Sequence, residues 1–213
     1  MNAVRPYSES VVSLTPDSGI FSEINNLLIA LQSLAVALHL HSGHSPHFGS
    51  RDYVTVEGKY LDVGIRLPLH GPVQAAMKNH LPDLIELTVV EGDRGTGDHS
   101  SWHSRLQNYL NHLFPPLLLY YHERHRDWMW QRHHSDRTKL PDAWQMGWAI
   151  RNATAHNGRV FDPRKSSGSV QWRGLIFSRQ DEPAQGLLDY VNGGDLLILM
   201  FDMEKSLQDL LAG

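Results

Sequence analysis

The sequence predicts a mainly α fold, a helical bundle carrying one or two small β-hairpins. Three observations point there: apolar residues recur every three or four positions over long stretches, proline and glycine mark the ends of those stretches, and only short runs suit strands. The 213 residues, 41% of them apolar, are enough for one buried core, so a single domain over 1–213 is expected.

Taken in order, Thr15-Pro16-Asp17 reads as a helix start with proline at the first helical position. Ile20, Ile24, Leu27, Leu28, Leu31, Leu34, Ala35 and Leu38 then trace one apolar face, and a polar loop is expected from His39 to His47. Tyr53–Val56 and Tyr60–Leu67 flank Glu57-Gly58-Lys59 as a small hairpin. Residues 72–90 read as helix in two pieces, broken at Pro82 because a proline ring removes a backbone donor. After a glycine-rich loop at 92–97, a helical pattern from His99 to His134 is expected to divide at Pro115-Pro116, with Trp102, Leu106, Tyr109, Leu110 and Leu113 on one face. A further helix spans about 142–157 and closes at Gly158. Val170–Ser178, with Leu187–Val191 as a further strand, suggests a second hairpin before a final helix to Leu211.

The chain has no cysteine, which excludes disulfides, thiolate metal sites and cysteine nucleophiles. With no signal-like N-terminus and no uninterrupted apolar span, a cytoplasmic protein that does not cross a membrane is expected. The net charge of −4 hides a strong asymmetry. Residues 121–173 carry 10 Lys/Arg against 5 Asp/Glu, whereas 174–213 carry 2 against 7. The basic stretch would suit an anionic partner such as RNA, or be a solvated face balanced by acidic neighbours.

Within that stretch lies Arg151-Asn152-Ala153-Thr154-Ala155-His156. Trp144 and Trp148 share one face of the helix, Met146, Ile150 and Ala153 another, and Asn152 and His156 stand one turn apart. Arg151 and His156, five positions apart, differ by about 140° around an ideal helix and cannot reach one small target from it. Either the helix loosens at its end, or the Arg of one protomer meets the His of another across a two-fold axis.

This Arg-x4-His arrangement, with Asn152 directly after the arginine, resembles the signature of the HEPN superfamily, helical domains that include many RNase toxins. The resemblance implies a homodimer with two Arg151/His156 sets in one cleft, and RNA cleavage without a metal or other cofactor in a toxin or defence role, with a protein antitoxin as a further partner. Chemically, such cleavage needs proton transfer at the ribose 2′-hydroxyl and a cation for charge developing on phosphorus, which imidazole and guanidinium supply. Whether His156 acts as base or acid is left open, and Asn152 would orient either group. Arg159, Arg164, Lys165 and Arg173 are candidate RNA contacts, with Trp172 among them as a stacking surface. The other reading is a catalytically silent RNA-binding or protein-interaction module, its Arg151 capping carboxylates or carbonyls.

Three histidine-rich groups lack the pattern of a metal motif: His39, His41, His44 and His47; Asp98, His99 and His103; His122, His125, His133 and His134. The last, interleaved with Arg124, Arg126 and Arg132, reads as a basic helix face and an RNA-facing wall. Gly92–Gly97 lacks the lysine of a phosphate loop, and nothing frames Ser100 or Ser101 as a nucleophile.

Overall fold

The computed structural model describes residues 8–41, 52–92, 101–156, 160, 168–181 and 186–212, without the side chains of 38, 39 and 101–110. The chain divides into two compact units, one of Met1–Val56 and Val63–Gly97, the other of Glu57–Asp62 and Asp98–Gly213.

The first unit overturns the expectation of a mainly helical bundle, because its centre is a four-stranded sheet and the fold is mixed α/β. The strands β1 (Ser8–Leu14), β2 (Tyr53–Glu57), β3 (Val63–Pro68) and β4 (Ile85–Glu91) lie in the order β1-β4-β3-β2. Antiparallel pairing of β4 runs from Ser8↔Glu91 to Leu14↔Ile85 on one side and from Val63↔Glu91 to Arg66↔Thr88 on the other. Residues 85–90 therefore form a central strand, not the end of a helix. Their alternation decides it: Ile85, Leu87 and Val89 are buried, Glu86 is exposed and Thr88 half-buried. Only Gly71–Met77 (α2) of the 72–90 window is helical, and joining it to β4 produced a false helical period.

Strand β1 had little sequence signal because it is an edge strand with four exposed residues at its start. Helix α1 (Phe21–His41) buries Ile24, Leu27, Leu28, Leu31 and Ala35 as expected. It begins later than the Thr15-Pro16 reading: Thr15 and Ser18 instead close a turn, with Ser18 N–H donating to the Thr15 carbonyl. It also continues through residues 39–41, expected as loop.

In the second unit, α3 (Ser101–Arg132) packs on α4 (Asp142–Ala155) and α5 (Gly193–Ala212). The expected break at Pro115-Pro116 is absent, and one helix runs through both prolines. A helix-interior proline costs about 3 kcal/mol. Phe114, Leu118 and Tyr121 are each fully buried around the pair, and such side chains contribute roughly 1.5–3 kcal/mol apiece, so packing offsets the loss.

Strands β5 (Ser169–Trp172) and β6 (Leu175–Ser178) form a hairpin that lies almost wholly within the Val170–Ser178 stretch, turning at Arg173 (φ 46°) and Gly174 (φ 87°). Leu187–Asp189 is a 3₁₀ turn and not a strand. At the start of α5, the fully buried Asp195 accepts four backbone N–H groups: Lys59 at 2.7 Å, Tyr60 at 3.0 Å, Leu61 at 2.9 Å and Asn192 at 3.0 Å. Its neighbour Gly194 leaves no room for a side chain, since a Cβ there would lie 2.3 Å from Gly58 N.

Candidate functional site

Helix α4 presents its apolar side as read from the sequence: Trp144, Met146, Ile150 and Ala153 are buried, and Trp144 Nε1 donates to the Met203 carbonyl at 3.0 Å. The polar edge carries Arg151 and Asn152, both half-buried. Arg151 Nε donates to Glu123 Oε1 on α3 at 2.7 Å, and its Nη1 donates to Asn152 Oδ1 at 3.1 Å. Asn152 Nδ2 in turn donates to the Val160 carbonyl at 3.2 Å. Asn152 thus orients the guanidinium.

The helix ends at Ala155, and His156 is its cap, with φ −122° and ψ 32° and its N–H on the Asn152 carbonyl at 2.8 Å. The helix keeps its regular bond up to this cap, so the end does not turn His156 onto Arg151. No hydrogen bond joins the exposed His156 ring to Arg151, whose guanidinium is held by Glu123.

Glu123 is the residue the sequence reading missed. Its second oxygen accepts from Arg126 Nη1 at 2.6 Å, so one carboxylate holds two guanidiniums, while Arg126 Nε also donates to Asp127 at 2.9 Å. Burial alone would raise the Glu123 carboxyl. The Arg151 hydrogen bond and the charges of Arg151 and Arg126 outweigh it and hold the group below the ordinary carboxylate range. An acid 28 positions away in sequence carries no local signal for Arg151.

Beside this triad opens a cavity of about 310 Å³, lined among others by His122, Arg126, Trp130, Trp144, Trp148 and Arg151. Arg137 stacks on Trp148, 4.0 Å from the ring centroid, and its partial burial lowers its pKa. His122 leaves the basic face expected for it, being 2% exposed. Burial, reinforced by Arg151 and Arg126 against the opposing pull of Glu123, lowers its pKa from 6.5 to about 4, so the ring is neutral at pH 7. Its Nδ1 has no hydrogen-bond partner, the nearest Glu123 oxygen being 3.9 Å away. The spacing Phe114, Leu118, Tyr121/His122, His125, Met129 did place His122 on the apolar stripe of α3.

Arg173, a candidate RNA contact, is engaged by Asp202 through two hydrogen bonds of 2.7 and 2.8 Å. Trp172 is buried at 3% exposure, donating to the same carboxylate at 2.8 Å, which removes it as a stacking surface. Arg159, Arg164 and Lys165 lie outside the described residues, as do Asn157, Gly158, His44, His47, Asp98 and His99. Among the described residues no three His, Asp or Glu side chains converge as a metal site, and no helix is long and apolar enough to cross a membrane. No protein-family model, curated protein or solved structure matches this chain.

Proposed function

We propose that the second unit is a metal-independent endoribonuclease in which Arg151 holds the scissile phosphate and His156 transfers a proton. The observation that carries this reading is the end of α4. Arg151, oriented by Asn152, borders an open aromatic cavity, and His156 is exposed just past the last helical turn. In the reaction the ribose 2′-oxygen attacks phosphorus as the bond to the 5′-oxygen breaks. The products are a 2′,3′-cyclic phosphate and a 5′-hydroxyl, and the 2′ proton is removed as the leaving oxygen gains one. Arg151 stabilises the pentacoordinate charge. A second copy of the chain, paired through α4, would supply the second half of a symmetric site.

The Glu123–Arg151 pair favours a second reading, a module of the same surface that binds RNA without cutting it, because the arginine's charge is already shared. End-labelled RNA incubated with the protein in EDTA separates the two. Cleavage that persists in EDTA, yields cyclic phosphate ends and falls on the order of a hundredfold or more in folded Arg151→Ala and His156→Ala supports the nuclease. Cleavage by His156→Ala at the wild-type rate removes it, and binding with no cleavage by any protein leaves the silent module.

A further inference from the structure

We infer that the cavity between α3 and α4 receives one unstacked nucleobase of a single-stranded RNA, placed by Trp130 and Trp148 beside Arg126 and Arg151. This rests on the RNA reading above but not on cleavage. Three observations lead to it. The cavity, about 310 Å³, is at the small end of the roughly 300–1,000 Å³ range of ligand sites, which suits a single ring system. Its walls include the half-buried indole of Trp148 and the indole of Trp130, which is 38% exposed, flat surfaces on which any base can stack. Arg126 and Arg151 line the same space, which sets cationic donors for the nucleotide's phosphate beside the stacked ring.

Charge then decides which part of a nucleotide enters. Arg126 and Arg151 are already paired with Glu123 and Asp127, which weakens their pull on a phosphate deep inside. The occupant is the uncharged ring, with its phosphate at the Arg151 end.

The test is calorimetric titration of the full chain at pH 7 with AMP, GMP, CMP and UMP, ribose 5-phosphate, and a single-stranded RNA tetramer. Saturable binding of at least one nucleotide is expected, with none for ribose 5-phosphate and with displacement by the tetramer. Trp130→Ala should weaken nucleotide binding roughly fivefold to a hundredfold, whereas Trp130→Phe, which keeps a ring, should lose much less. Binding of ribose 5-phosphate as tight as the nucleotides, or no nucleotide binding at all, overturns the base pocket. Nucleotide binding that the tetramer does not displace overturns its assignment to RNA. If RNA is cut while nucleotides fail to bind, the pocket falls and the nuclease stands; if nucleotides bind and compete with RNA that is never cut, the pocket stands and the nuclease falls.

Discussion

Two carboxylates of the second unit, Asp195 and Glu123, sit in opposite circumstances. Asp195 is fully buried and its oxygens are taken up by four backbone N–H donors from two chain segments. Glu123 has a side chain one-third exposed, holds two arginines, and stands beside a cavity where a histidine nitrogen is unpartnered. A closed set of hydrogen bonds has no free valence for a ligand and serves the fold. An open set, bordering a cavity and built from partly exposed side chains, can exchange partners, and that is where binding chemistry is expected.

The largest expected effect breaks the closed set. Asp195→Ala removes the acceptor of four part-buried N–H groups, at about 0.5–1.5 kcal/mol each, and should unfold the second unit or lower its stability by at least about 2 kcal/mol in urea titration. Gly194→Ala, which forces a Cβ onto the Gly58 backbone, should behave alike. A small loss in both variants would show that the clamp is incidental.

Next comes pH. His122 binds a proton near pH 6.5 when unfolded but only near 4 when folded, so the unfolded state takes up protons first as pH falls. Above about pH 6.5 the ring is neutral in both states and adds no pH dependence. Stability should decline between 6.5 and 4 by about 3 kcal/mol, an order-of-magnitude figure from a shift of that size. Urea titrations at pH 7 and pH 4.5 measure this, and His122→Leu should flatten the slope; an unchanged slope would place the acid sensitivity elsewhere.

A smaller effect sharpens the contrast. Glu123→Gln should change stability by only about 1 kcal/mol, because the pairs are partly exposed. It removes the negative charge that Arg126 and Arg151 share, so RNA affinity should rise and its salt dependence steepen, as read by filter binding from 50 to 200 mM salt. Unchanged affinity would mean that Arg126 and Arg151 do not meet phosphate. Smallest of all, Arg173→Ala should lower stability by about 1 kcal/mol through loss of the Asp202 pair, with little change in RNA affinity. A large loss of affinity would return Arg173 to the interface.

What the sequence by itself determined was local. The apolar faces of α1 and α4 and the strand character of Val170–Ser178 follow from periodicity and residue type, which act over a few residues. Tertiary structure decided the rest. The edge strand β1 is mostly polar and becomes a strand only by pairing with β4, while β4 lay hidden in a window whose first part is helical. Pro115-Pro116 predicts a break from backbone chemistry alone, and burial around them overrides it. The same holds at the site. Arg151 and Asn152 were readable as a motif, but the partner that sets Arg151's charge, Glu123, lies on another helix, and the cavity exists only where α3 and α4 pack together. Hydrogen bonds and ion pairs between distant segments follow from how helices pack, and no spacing within one helix encodes that.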